Sequence, residues 1–182
     1  MELTQEQKGK IGETAVMLEL LKKGFNVINI NNSYPNYKNA DLICMNANNG
    51  KSVMIQVKTG TTHNILTGFT SELDGTIQKL EESIIGPWVF VYMPDDKMSN
   101  MEFYILTKEE VIKLISSSNK WYVTEWKRKL TSKPRVGVEV DWLKGESSKA
   151  SKENAKKQHP EYKSTLRQTS KDNWWKITQL LD

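Results

Sequence analysis

The pair Asn49-Gly50, set between two short apolar runs, constrains this chain of 182 residues more than any other feature. A type I′ turn needs positive φ at both central residues, and Asn-Gly meets that need at low cost. The flanking runs Asp41-Leu42-Ile43-Cys44-Met45 and Ser52-Val53-Met54-Ile55-Gln56-Val57-Lys58 are therefore predicted to pair as an antiparallel hairpin. With a two-residue loop, Asn48 faces Lys51, and counting outward sets Asp41 opposite Lys58 and Ile43 opposite Gln56. Asp41, Gln56 and Lys58 then share one face. Directly opposed Cβ atoms lie about 5 Å apart and diagonal ones roughly 7 Å, near enough for two oxygens to hold one cation. An amide and an ammonium interrupt a strand whose neighbours Met54, Ile55 and Val57 are apolar. A polar site accounts for that interruption, and so does an edge strand with two solvated side chains.

Upstream, Thr4-Gln5-Glu6-Gln7 reads as a capping box, and no proline follows before Gly24, which suits a helix C-terminus. Thr4 to Lys23 is the first predicted helix. At about 100° per residue, Lys8, Glu19, Lys22 and Lys23 fall on one arc, whereas Glu13 shares the other side with Gly9, Val16 and Leu20. A carboxylate on an inward-facing stripe costs free energy unless it is paired, hydrogen-bonded or holding a metal. A rim position that reaches solvent is the plainer account.

Phe25 to Ile30 reads as a first strand and Asn31 to Asn39 as a polar loop. Beyond Gly60 another polar loop leads to a predicted helix from about Glu72 to Ile85, with Gly75 weakening its start. Trp88 to Met93 and Glu102 to Leu106 are two further strands, and Thr107-Lys108-Glu109-Glu110 is a second capping box opening a helix to about Ser116. Val136 to Leu143 can add a late strand. These elements give an α/β domain over residues 1–143, a central mixed sheet of about five strands flanked by helices. Residues 144–171 are rich in Lys and Ser and read as a flexible basic segment; residues 172–182 read as a C-terminal helix returning to the domain.

The formal net charge is +4, but residues 1–119 carry 11 Lys against 14 acids, whereas residues 120–182 carry 15 Lys or Arg against 8. Five of the six tryptophans lie in that basic third. Basic side chains interleaved with aromatics suit a phosphate backbone and stacked bases, and Lys127, Arg128, Lys129, Lys133 and Arg135 are the expected contacts. A solvated basic surface over a Trp-anchored core has the same composition. The single Cys44 has no disulfide or zinc-knuckle partner and is expected to be a buried strand residue. No apolar run approaches the roughly 18 residues of a membrane span, and the polar start lacks a signal-peptide core, so a cytoplasmic protein without a membrane partner is expected. His63 and His159 are isolated in loop-like segments and read as surface residues.

An acid in the first helix, an Asp at the start of one strand and (Glu or Gln)-X-Lys in the next occur here as Glu13, Asp41 and Gln56-Val57-Lys58. In that order they resemble the signature of the PD-(D/E)XK nucleases. Gly12-Glu13, Gly24-Phe25-Asn26-Val27, Asp41-Leu42-Ile43 and Ile55-Gln56-Val57-Lys58-Thr59 are similar to the compact members, among them Holliday junction resolvases and restriction-like enzymes. The resemblance spans roughly residues 8–106. It implies a restriction-endonuclease-like fold and Mg²⁺-dependent endonuclease action on DNA, with Mn²⁺ as a substitute metal. Asp41, the Gln56 oxygen, the Val57 carbonyl and Glu13 would be ligands, and Lys58 would act on the attacking water. Two-strand cleavage would favour a homodimer. The chain departs from the pattern at Gln56, where an acid is usual, and at Ala40, where a proline often stands. Losing that acid keeps open a DNA-binding module with a weakened site, and a protein-interaction domain whose basic third meets an acidic partner is a further alternative.

Overall fold

The computed structural model describes residues 3–34, 37–94, 98–124, 132–140, 166 and 171–182. Helix α1 (Gln5–Lys22) begins at the expected capping box: Thr4 N–H donates to Gln7 Oε1 at 2.8 Å, and Gln7 N–H donates to Thr4 Oγ1 at 3.2 Å. It ends at Gly24, whose φ of +88° turns the chain into β1 (Asn26–Asn29). Lys8, Gly12, Val16 and Leu20 form its buried stripe, one residue per four. Lys8 thus departs from the polar arc assigned to it. A stripe with four-residue spacing slants around the helix, and a lysine stem can be covered along it.

A five-stranded sheet follows in the order β1, β2 (Leu42–Met45), β3 (Ser52–Gly60), β5 (Trp88–Tyr92) and β6 (Glu102–Leu106). Only β3 and β5 are parallel, and the other neighbours are antiparallel. Every residue of β5 is buried, as a central strand covered on both faces must be. One face packs on α1 and on the short C-terminal helix α4 (Trp175–Thr178) through Val16, Leu20, Val57, Val89 and Ile177. The other face carries Trp88, Phe90 and Tyr104 against α3 (Lys108–Thr124) and a separate two-stranded ribbon. That ribbon pairs β4 (Asn64–Thr70) with β7 (Arg135–Glu139). The chain is therefore α/β with a mixed five-stranded sheet flanked by helices, as expected. Among the described residues, no helix is long and apolar enough to cross a membrane.

Three expectations need correction. The hairpin pairs Leu42 with Ile55 and Ile43 with Met54, two residues away from the expected register, so Ile43 does not face Gln56. The loop is longer because Asn46 N–H donates to the Lys51 carbonyl at 3.0 Å, and only Gly50 adopts positive φ. A shift of two leaves every side chain on its original face. Second, the stretch after Gly60 is not a loop leading to a long helix. It forms β4, and the helix α2 covers only Leu80–Ser83. Asp74 closes a turn onto the Thr76 N–H at 2.9 Å and Gly75 takes φ +90°, which ends any helix across that stretch. Third, α3 runs to Thr124, past the expected Ser116. Of the expected basic segment 144–171, only Leu166 and Lys171 are among the described residues.

Gly12 marks where α1 meets the sheet most closely. A Cβ built there would lie 1.8 Å from Thr59 Oγ1, with Thr59 Cβ at 3.0 Å and Cγ2 at 3.1 Å, so the severe overlap is with the threonine's γ oxygen. Gly12→Ala is expected to destabilise the protein by about 1–3 kcal/mol despite alanine's better helix propensity. Adding Thr59→Ala should recover most of that loss in urea unfolding. A Gly12→Ala variant as stable as wild type would refute this packing.

Candidate active site

Helix α1, the turn after β1, the entry to β2 and strand β3 build the site. β1 ends at Asn29, whose side-chain oxygen accepts from the Asn31 N–H at 2.9 Å and starts a 3₁₀ turn, Ile30–Asn32. The returning chain is clamped at Asp41, whose carbonyl accepts from Ile30 N–H at 2.8 Å and whose N–H donates to the Ile55 carbonyl at 2.9 Å. Asp41 therefore enters β2 at a fixed place between β1 and β3. Its side chain is only 8% exposed.

The Asp41 carboxylate is surrounded by N–H donors. Oδ1 accepts from Asn31 Nδ2 at 3.1 Å, and Oδ2 accepts from the Val57 N–H at 2.7 Å and from Gln56 Nε2. Gln56 N–H points to the opposite edge and donates to the Pro87 carbonyl at 3.2 Å. In an extended strand a residue's N–H and C=O lie on one edge, so the Val57 carbonyl shares the Asp41 edge. Val57's side chain meanwhile packs in the core beneath α1.

Glu13 reaches the same place from the helix. Its Oε2 accepts from Asn29 Nδ2 at 2.7 Å. Burial raises the Glu13 carboxyl above its ordinary 4.5, and the neighbouring Asp41 charge adds to the rise, while hydrogen bonds from Asn29 and Asn31 oppose it. The Lys58 ammonium is lowered by burial, with Asp41 and Glu13 pulling the other way. Its Nζ sits 5.4 Å from the centre of the Trp88 ring, within cation–π reach. All four expected side chains thus converge, although Glu13 comes from a helix, Asp41 from the residue before β2, and Gln56 and Lys58 from β3.

Because the folded protein holds the Glu13 proton more tightly than the unfolded chain does, ionised Glu13 costs stability once pH rises through its folded value. That cost is absent below the ordinary 4.5. Glu13→Gln is therefore expected to raise the urea midpoint at neutral pH, and the gain should close in acid. A gain that does not vary with pH would count against the assignment.

Among the described residues, no group of three or more His, Cys, Asp and Glu side chains is arranged to hold a metal. The donors present are two carboxylates, one amide and one backbone carbonyl, an all-oxygen set once Gln56 turns its oxygen inward. Such a set suits a hard cation.

No family model matches the chain, and no curated protein matches it. Among solved structures it is similar to a bacterial homing endonuclease, I-Ssp6803I, with a TM-score of 0.37 and 17% identity, over 59% of this chain and 68% of that one.

Sequence reasoning missed Asn29 and Asn31, which orient Glu13 and Asp41. The signal available was the run Asn29-Ile30-Asn31-Asn32 directly after a strand. It also missed Trp88 beneath Lys58, and Gly68 of β4, where a Cβ would lie 3.8 Å from Lys58 Nζ. Gly68 has φ +92° beside an irregularity in the ribbon pairing, so β4 passes the lysine without a side chain in the way. Of the expected nucleic-acid contacts, Lys127, Arg128 and Lys129 lie outside the described residues. Arg135 is exposed and paired with Thr70, two residues along β4 from Gly68, while Lys133 binds Glu72 at 2.6 Å. His63, expected at the surface, is half-buried, with Nε2 3.1 Å from Tyr92 Oη; His159 is outside the described residues. Cys44 is buried as expected, which pushes its thiol up to about 11.

Proposed function

We propose that this chain is a metal-dependent nuclease that hydrolyses phosphodiester bonds in DNA, built on a PD-(D/E)XK-type site. The observation that carries this reading is the meeting of two carboxylates, those of half-buried Glu13 and buried Asp41, with the ammonium of half-buried Lys58. An acid raised and a lysine lowered by burial in one place, as Glu13 and Lys58 are, are a mark of functional sites. Asp41, Glu13, the Val57 carbonyl and the Gln56 oxygen would hold Mg²⁺ or Mn²⁺. Bound there, the ion would polarise the scissile phosphoryl group and lower the pKa of a coordinated water. Lys58 supplies a fixed positive charge for the transition state and a donor to orient the attacking water. Asn29 and Asn31 keep both carboxylates aimed. Exposed Arg135 and the basic residues that follow α3 would position the phosphate backbone.

Purified protein should cut plasmid, single-stranded or branched DNA with Mg²⁺ or Mn²⁺ and stop when EDTA is added. DNA binding should weaken steeply with salt, since phosphate contacts release counterions. A protein that binds DNA salt-dependently but cuts none of these substrates fits the binding-module reading instead. The observation favouring that second reading is Gln56, an amide where the resemblance calls for an acid. Binding indifferent to salt would leave neither reading standing.

A further inference from the structure

Asp41 already accepts three hydrogen bonds. Its two oxygens receive Asn31 Nδ2, the Val57 N–H and Gln56 Nε2. A carboxylate only accepts, so this contact holds the Gln56 amide with its amino group inward and its oxygen turned away. Both side chains are buried, Gln56 at 5% exposure and Asp41 at 8%. A cation approaching Asp41 Oδ2 meets the amino hydrogens of Gln56. For Gln56 to become a ligand, its amide must turn over, which breaks a charge-assisted bond between buried groups. The turned amide then sets oxygen against oxygen, an arrangement that is favourable only with a cation between them.

A glutamate at this position would behave in the opposite way. It would repel Asp41 on its own and gain when a cation lies between them. With glutamine, the two side chains satisfy each other without a cation. The local charge also falls short: Glu13 and Asp41 are offset by Lys58, and a dication is drawn to that set only weakly. A phosphodiester brings the missing negative charge and two further oxygens.

Resting on the metal-site reading above, we propose that Gln56 is a gate that makes metal uptake conditional on the phosphodiester. Without substrate the amide stays amino-inward on Asp41. With substrate it turns, and metal and phosphate enter together. Coupling of this kind is reciprocal, so each ligand tightens the other by the same factor.

Mn²⁺ binding to the full chain, read from the free-ion electron paramagnetic resonance signal, tests this without using cleavage. The probes are phosphorothioate-substituted duplex and single-stranded DNA, which resist cutting. Wild type should bind Mn²⁺ at least about tenfold more tightly with one of these DNAs than alone, and that DNA should bind more tightly with Mn²⁺ by a matching factor. Gln56→Glu should take up Mn²⁺ without DNA and lose most of the coupling. In parallel, the side-chain amide resonances of Gln56 should stay put when Mg²⁺ is added alone and move when Mg²⁺ and DNA are added together. Wild type binding Mn²⁺ equally well with and without DNA overturns the gate and leaves the nuclease reading intact. If neither wild type nor Gln56→Glu takes up Mn²⁺ under any of these conditions, the metal site itself is refuted and the gate goes with it.

Discussion

Lys58→Met is expected to lower the cleavage rate by at least about 10²-fold, the usual consequence of removing a fixed electrostatic group from the transition state. The fold should survive. Methionine keeps most of the stem that packs beside Trp88, and the substitution removes a half-buried charge whose ammonium is held below its ordinary 10.5 by desolvation. A lysine with a lowered folded pKa costs stability below that value, and the cost fades only as pH rises toward 10.5, so it is present throughout the neutral range. Against this gain stands the lost attraction to Asp41 and Glu13, and the two partly cancel. Metal uptake should hold or strengthen, because a competing cation has gone. Rates measured beside circular dichroism, thermal melting and Mn²⁺ binding separate these effects. A variant that cuts at the wild-type rate would show that Lys58 takes no part in the chemistry.

Asp41, Gln56 and Lys58 were legible in the sequence as one group because their shared face depends on parity rather than on register, whereas Glu13 on α1 was joined to them only by the family resemblance. The hairpin is misplaced by two residues when its loop is read as Asn49-Gly50 alone, yet Asp41, Gln56 and Lys58 stay on their assigned faces. The loop itself was not legible. Asn46 Nδ2 and Asn49 Nδ2 hold the Leu181 carbonyl at 3.1 and 2.8 Å, partners more than 130 positions away that no local turn rule includes. Strand β4 was hidden for a related reason. Its inward face is Ile65 and Thr67, and the threonine is buried because its hydroxyl donates to the Val136 carbonyl at 2.8 Å, across the ribbon. A polar residue satisfied by a distant strand looks like a loop residue when read alone. Asn29 and Asn31 escaped similarly, since their work is to orient acids contributed by other elements.

Asp41→Ala should cause the largest stability loss of any change at the site, because it orphans three donors at once. Two of them, Gln56 Nε2 and the Val57 N–H, meet Asp41 in the interior, and each unsatisfied buried donor costs about 1–3 kcal/mol. A total of about 2–5 kcal/mol is therefore expected in denaturant unfolding, together with loss of metal binding and cleavage. Asp41→Asn should fall between this and wild type. It keeps one acceptor oxygen but brings an amino group into a shell made entirely of donors. Combining Asp41→Asn with Gln56→Glu reverses the polarity of the pair, so that a donor at position 41 faces an acceptor at position 56 with the net charge unchanged. The double variant should recover part of the stability lost in Asp41→Asn, giving a favourable coupling in a double-mutant cycle. Cleavage should stay low, because the carboxylate no longer stands where the Val57 N–H, Asn31 and Glu13 are arranged around it. Strict additivity of the two substitutions would mean that the Asp41–Gln56 contact does not hold the site together, and the gate assigned to Gln56 would lose its footing.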